Sequence, residues 1–258
     1  MRAVKNNFGW MSHPTLLVSV VSLCLFFGAL GSSLARPLPP PTKIPPVPHV
    51  KAAELLAPTP DCAAVPCLAL TFDDGPDSTA TPMILDVLAR NQVKATFFVV
   101  GSHVAGREPI LQREYREGHE IGNHTWNHPD LSTLSPEGVV DQLQRTQATI
   151  AGAGVPAPRL LRPPYGVVDP MVASHNNLTV VRWNVDPEDW KQRDPQKVFE
   201  HIVTHARPGA IILLHDLYPT TAPAVDMAVQ TLKPQYQFVT ASQLLDLSPG
   251  DQGQYFGR

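Results

Sequence analysis

The chain has 258 residues, 43% of them hydrophobic and 17% charged, enough for one sizeable core and one domain. A formal net charge of −3 with ten histidines leaves no basic surface for nucleic acid, and no run of like charge marks an electrostatic tail. The 28 prolines are unevenly placed, which separates a spacer from a folded part.

Arg2 and Lys5 precede the apolar run TLLVSVVSLCLFFGALG, which ends in SSLA before Arg36. A basic start, an apolar middle and small residues at Ser33 and Ala35 predict a secretory signal over residues 1–35. An uncleaved membrane anchor is the competing reading, because the run approaches the roughly 18 apolar residues that a spanning helix needs. Cys24 does not read as a lipid attachment site, since bulky Leu23 precedes it inside the run. Residues 36–60, RPLPPPTKIPPVPHVKAAELLAPTP, have few packable side chains and many fixed φ angles. They read as an extended, polyproline-like spacer in which His49 is a solvated residue. The folded domain is expected over residues 61–258. At its start, Cys62 and Cys67 read as a disulfide of an exported protein.

After Cys67, short apolar runs alternate with stretches of helical period. The runs are CLALTF, ATFFVV, HEIGNHT, RLLRPP, LTVVRWNV, AIILLHD and YQFVTA, with helices expected at Pro82–Arg90 and Pro136–Ala151 among others. The second helix carries Val139, Val140, Leu143 and Ile150 on one face and a proline suited to a first turn. This alternation predicts an α/β protein with parallel strands and right-handed crossovers, closed as a β/α barrel more readily than left as an open sheet. Polar residues collect at the strand ends. Asp73 and Asp74 end the first, His124 and His128 the third and Arg162 the fourth. Asp186 and Asp189 follow the fifth, and His215 with Asp216 ends the sixth. In β/α barrels the carboxyl ends of several strands carry the chemistry.

The hexapeptide NHTWNH sets His124 and His128 at a spacing that can grip one metal ion. No glutamate follows the first histidine, however, and Pro129 limits any helix through the second. A second pair at the same spacing, His201 and His205, is a control. It lies within a helical stretch whose apolar stripe is Val198, Phe199, Ile202 and Val203, so both histidines fall beside the stripe and read as surface residues. TFDDGP adds two adjacent carboxylates on a tight turn. Such a sequence can be ordinary turn chemistry, yet two neighbouring carboxylates repel unless a cation neutralises one. A metal ion held by Asp74, His124 and His128 meets that need and leaves Asp73 as a base.

Five stretches stand in one order: TFDDG (71–75), HTWNH (124–128), RPPYG (162–166), DPEDW (186–190) and LLHD (213–216). With them the chain resembles the polysaccharide deacetylases of the NodB homology type, carbohydrate esterase family 4, from Leu68 to about Leu247. The resemblance implies a distorted (β/α)7 barrel. It also implies a divalent metal, usually zinc with cobalt, manganese or nickel as alternatives, bound by Asp74, His124 and His128. Asp73 would be the catalytic base and His215 the acid, with Arg162 orienting Asp73 and Asp189 tuning His215. The Tyr165 backbone N–H would help hold the oxyanion, and Trp190 and Leu213 would line the pocket for the acetyl methyl. The cysteine pair ahead of the first motif is similar to exported actinobacterial members. Leu161 stands where many relatives carry an aromatic residue, and Val168–Asp169 replaces a more usual polar residue; both bear on the groove and not on the chemistry.

Amide hydrolysis needs a nucleophile at neutral pH, a polarised carbonyl and a proton for the departing amine, and these roles supply all three. The chain therefore reads as an exported or envelope-attached hydrolase removing N-acetyl groups from N-acetylglucosamine units of peptidoglycan. It is expected to act as a monomer on a polysaccharide, to have no nucleic-acid partner, and to meet the membrane only through an N-terminal anchor. Competing readings are an O-acetyl esterase on xylan, a chitooligosaccharide deacetylase and a catalytically silent carbohydrate-binding envelope protein. Two histidines with one carboxylate also suit a non-haem iron oxygenase, although an adjacent Asp base and a distant His acid suit hydrolysis better.

Overall fold

CLALTFD forms β1 (Cys67–Asp73), buried along its whole length on both faces, as a near-continuous apolar run in a parallel sheet must be. The computed structural model describes residues 60–167 and 177–258. The expected signal or anchor segment, the spacer up to residue 59 and Val168–Asp169 lie outside the described residues. Among the described residues no helix is long and apolar enough to cross a membrane.

The other strands are β2 (Thr96–Val99), β3 (Glu120–Asn123), β4 (Leu160–Leu161), β5 (Thr179–Val181), β6 (Ala210–His215), β7 (Gln237–Phe238) and β8 (Gln254–Tyr255). The helices are α1 (Ala80–Asn91), α2 (Glu108–Arg116), α3 (Pro136–Gly152), α4 (Asp189–Gln192), α5 (Pro195–His205), α6 (Thr221–Leu232) and α7 (Ala241–Leu245). All the strand pairs are parallel, in the order β6-β1-β2-β3-β4-β5-β8, with β7 on β1. The segment after β5 then closes the ring. Val185 donates its N–H to Ile211 O at 3.2 Å and accepts from Leu213 N at 2.9 Å, which bridges it to β6. The expected distorted barrel is the fold found.

The short strands add to the ring locally. β7 pairs only with Cys67 and Leu68, at the start of β1, whereas β2 pairs with Thr71 to Asp73 at its end. On the other side β8 pairs with β5, and Arg258 N reaches Gly209 O beside the start of β6. These two short strands pair at one end of the long ones. All seven expected runs are strands. The eighth, in the sequence QGQYFG, has no apolar run to announce it, and the fifth stops at Val181 instead of running on through Val185.

α3 begins at its expected proline, with Ser135 Oγ accepting from Gly138 N, and buries Val139, Leu143 and Ile150, while Val140 on the flank is half-buried. α5 buries Val198 and Ile202, with Phe199 and Val203 packed at the edge of the core. His201, mid-helix, and His205, in the last turn, stack on each other, and neither belongs to the group formed by Asp74, His124 and His128. Cys62 and Cys67 form the expected disulfide. Leu161 is fully buried among Val139, Leu143 and Val180, so it faces the core and does not shape the groove.

Two acids are buried outside any salt bridge among the described residues. Burial and nearby Asp216 push the Glu114 carboxyl well above the usual carboxylate range, and neither of its oxygens has a hydrogen-bond partner. Burial likewise raises Asp216, to about 7. Both are therefore neutral in the fold at acid pH but ionise freely when unfolded. The stability they allow is full below the ordinary carboxylate value and falls as pH rises through the raised one. Glu114→Gln should melt above the wild type at pH 8 and close to it at pH 4. The expected gain is a few degrees, since 1 kcal/mol moves Tm by about 2–4 °C in a domain of this size. Calorimetry at the two pH values checks it.

Candidate active site

β1 delivers two consecutive carboxylates by different routes. Asp73 is its last residue and only 3% exposed. Asp74 leaves the strand with φ 79°, a left-handed conformation that a non-glycine residue adopts only when held there. Its N–H donates to Phe98 O at 3.2 Å, and its carbonyl accepts from His103 Nδ1 at 2.7 Å. No local pattern in the sequence marks His103 for this task. Gly75 must follow, because a Cβ there would lie 2.0 Å from Asp216 Oδ2.

NHTWNH runs off β3 as a loop, with Thr125 and His128 both at positive φ. Asn123 Oδ1 accepts from Thr125 N, Gln142 Oε1 accepts from Trp126 N and Asn127 N, and Thr125 Oγ1 accepts from His128 N. The two histidines thus converge through side-chain-held turns and not through helical spacing. His124 Nδ1 meets Arg162 O at 2.6 Å. A carbonyl can only accept, so Nδ1 carries the proton and Nε2 keeps its lone pair. That Nε2 lies 3.4 Å from Asp74 Oδ1, as does His128 Nε2. One donor atom from each of the three residues falls within 4.8 Å of the others. Asp74 Oδ1 is buried with no hydrogen-bond partner among the described residues. An orphaned carboxylate oxygen facing two imidazole nitrogens fits a cation, and this donor set suits zinc or another divalent transition metal.

Burial alone would raise the Asp74 carboxyl, but the facing His124 imidazole, 3.4 Å away, and the charges of His215 and His128 bring it down to about 2. His124 itself is lowered by burial but raised overall by Asp73 and Asp74, whereas burial and His124 leave His128 lowered. The ligand group therefore holds a firmly ionised carboxylate.

Arg162 is fully buried behind this group. Its Nη1 donates to Asp73 Oδ1 at 2.8 Å and Thr71 Oγ1 at 2.7 Å, Nε to Val181 O at 3.0 Å, and Nη2 to Arg182 O at 2.9 Å. The guanidinium lies over the Phe98 ring, 4.1 Å away. That ring needs Gly122 beside it, where a Cβ would stand 2.3 Å from Phe98 Cδ1. Across the mouth, His215 Nδ1 meets Asp189 Oδ1 at 2.7 Å, and Asp189 Oδ2 accepts from His215 N and Thr221 Oγ1. Burial would lower the His215 imidazole, but the Asp189 bond and charge, with Asp73 and Asp74, raise it to about 9.

A cavity of about 400 Å³ joins these parts. Asp73, Asp74, His124, His128, Tyr165, Trp190, Leu213 and His215 line it, as the motifs suggest, while Arg162 and Asp189 stand behind it. Tyr165 has φ 59° and is 66% exposed, and Trp190 at 46% is no core residue. Trp183, Asp186 and Tyr218 also line the cavity. Trp183 sits in a run that reads as strand, so its place at the mouth depends on β5 ending early.

A candidate cation group flanked by a clamped carboxylate and a carboxylate-held imidazole at the strand ends is the equipment of a metal-assisted hydrolase. Comparison with known proteins narrows the class. Residues 61–181 match the family model for polysaccharide deacetylase. The chain is 41% identical over 210 residues to the peptidoglycan-N-acetylglucosamine deacetylase PgdA of Listeria monocytogenes. That alignment takes in 81% of this chain and 42% of the relative, so the chain spans less than half of the relative's length. The solved structure of T48 deacetylase with substrate matches with a TM-score of 0.72 at 39% identity, over 76% of this chain and 99% of that one. A family 4 acetyl xylan esterase from Clostridium thermocellum, in complex with a cobalt ion, matches with a TM-score of 0.69 at 35% identity, over 74% and 98%. The chain belongs to the polysaccharide deacetylase family.

His124→Ala or His128→Ala should weaken Zn2+ binding by more than about 100-fold, since loss of an outer partner alone costs 10–100-fold. His201→Ala should leave it unchanged. Titration calorimetry on the apo-proteins measures both, and equal losses from the two pairs would remove the ligand assignment.

Proposed function

We propose that this chain is a divalent-metal-dependent N-deacetylase of N-acetylglucosamine units in an envelope polysaccharide, with peptidoglycan as the substrate. The observation that carries the reading is the shared cavity, on which a clamped carboxylate, Asp73, and a carboxylate-held imidazole, His215, both open beside the three-ligand group. Asp74, His124 and His128 hold the metal, with zinc as the preferred ion. When bound, it supplies Lewis acidity and a water that ionises near neutral pH.

The chain's own groups do the rest. Arg162 occupies Asp73 Oδ1, which leaves Oδ2 to accept the proton of the attacking water. Asp189 occupies His215 Nδ1, so Nε2 is the atom that gives a proton to the departing amine nitrogen. Arg162 and Asp189 act through Asp73 and His215. The Tyr165 N–H is assigned to the oxyanion, and Trp190 with buried Leu213 to the acetyl methyl.

Similarity to PgdA supports peptidoglycan as the polymer. Export through residues 1–35 and the spacer over 36–60 carry the domain, as a monomer, to the cell envelope. Similarity to an acetyl xylan esterase supports O-acetyl cleavage as a second reading. Acetate release from peptidoglycan, chitooligosaccharide and acetylated xylan, measured in parallel, separates them. The fastest release is expected from peptidoglycan, and release from xylan alone overturns the N-deacetylase reading. In the same assay Asp73→Asn should keep its metal and lose about 10²–10⁴ in turnover. Metal loss as deep as in Asp74→Asn would exchange the roles of the two aspartates.

The pH profile of kcat/KM should be bell-shaped. A raised imidazole value keeps the acid form present further into the alkaline range, so the alkaline limb reports His215 losing its proton. Asp189→Asn removes the charge that raises it and should move that limb to lower pH by about 1–3 units. Metal content should not change, and the acid limb should move less. The fitted values belong to the coupled set of groups, so the comparison between variants is the measurement. An unmoved alkaline limb in the metal-replete variant removes Asp189 from the mechanism.

A further inference from the structure

One cation packed on a cavity-lining ring has no task in the chemistry above. Arg193 follows α4 with φ 50°, a left-handed residue at a helix end where glycine or asparagine would be easier. Its backbone N–H donates to Asp189 O at 3.3 Å, and its side-chain Nε donates to Trp190 O at 2.6 Å. Its guanidinium carbon lies over the Tyr218 ring, 3.1 Å from the centroid. Tyr218 lines the cavity, and its ring centroid is 6.0 Å from that of His215. The guanidinium is therefore one aromatic ring away from the proposed acid.

Arg193 is nevertheless unpaired. Among the described residues it forms no salt bridge, and its four Nη N–H groups meet no protein acceptor. The acids nearby in the chain are engaged elsewhere. Glu188 is paired with Lys191, Asp194 caps α5 through Gln196 N and Lys197 N, and Asp186 accepts from Glu188 N. An arginine left to itself on a surface would keep its rotamer freedom. Here the backbone, the Nε bond and the ring hold the fork in place, which removes much of the entropy cost of binding an acceptor. A stacked guanidinium keeps its N–H groups in the plane of the fork, where they suit a carboxylate in bidentate fashion.

We propose that Arg193, laid on Tyr218, is a specificity residue that receives a carboxylate borne by the sugar next to the one being deacetylated. The inference rests on the deacetylase reading and deepens it. Chitin oligomers and unsubstituted xylan offer no such group, whereas every second sugar of peptidoglycan carries a lactyl ether. That ether ends in a free carboxylate or in a peptide stem with carboxylates of its own.

The test compares wild type, Arg193→Gln and Arg193→Lys, all metal-loaded, on three substrates of equal length. These are a neutral chitooligosaccharide, a glycan with free lactyl carboxylates, and the same glycan with peptide stems. Arg193→Gln should lose about tenfold or more in kcat/KM on a carboxylate-bearing glycan, carried by KM, and nothing on the chitooligosaccharide. The arm that shows the loss identifies the source of the carboxylate. Arg193→Lys should recover part of the preference, and the wild-type preference should weaken with added salt. Loss to the same extent on the neutral oligomer would mean that Arg193 only props Tyr218 and Trp190, and overturns the proposal. So would unchanged kinetics on all three. Calorimetric binding of the glycans to the same proteins keeps this test apart from the activity. If a charge-dependent difference in affinity persists without acetate release, the subsite stands and the deacetylase reading falls. If acetate is released but Arg193→Gln binds and turns over like wild type, the reverse holds.

Discussion

Burying the Arg162 guanidinium inside the barrel is the constraint from which the site follows. Taking such a charge out of water costs several kcal/mol unless a counter-charge and acceptors meet it. Here Asp73, Thr71 Oγ1 and two main-chain carbonyls do so, and the Phe98 ring covers one face. The same residue's carbonyl sets the tautomer of His124. One side chain and its own backbone therefore fix both the carboxylate assigned as base and the orientation of an imidazole assigned to the metal. The acceptors come from β1, from the end of β5 and from the residue after it, so the barrel has to close before the arginine is satisfied. Removing Asp73 would leave a buried, uncompensated cation, a loss of about 3–5 kcal/mol. That is why an amide is the cleaner probe of its chemistry.

Around this pair the mouth separates its titratable groups by environment. Asp74 is driven down to about 2 and stays an anion for a cation to use, while His215 is driven up to about 9 and stays an acid. Asp216, one residue on from His215, is instead kept neutral over much of the acid range by burial, packed against Gly75 with Thr81 Oγ1 at 2.5 Å. Adjacent residues at the end of one strand thus acquire opposite charge behaviour, one from the carboxylate it meets and the other from burial. The backbone bears part of the cost, since Asp74, Thr125, His128, Tyr165 and Glu188 all have positive φ. Conformations of this kind collect where surrounding bonds over-determine them, and here they ring the cavity.

The sequence by itself determined the parallel α/β alternation, the seven main strands, the disulfide and the side chains that stand at the strand ends. Those are local properties: apolar runs of strand length, helical periodicity, and polar residues where a buried strand must stop. It also gave two histidine pairs of identical spacing different readings, because only one lies beside an apolar helix stripe. Tertiary structure decided the rest. That β8 completes the sheet, that Val185 bridges to Ile212, and that β5 ends early to bring Trp183 to the mouth all depend on pairings between residues far apart in the chain. His103 under Asp74, Asp216 behind Gly75 and Arg193 on Tyr218 are contacts of the same kind. A residue type at a position says what chemistry is available. Which acceptor, ring or carboxylate it meets is set only when the ring of strands closes and long-range contacts repay their loop entropy.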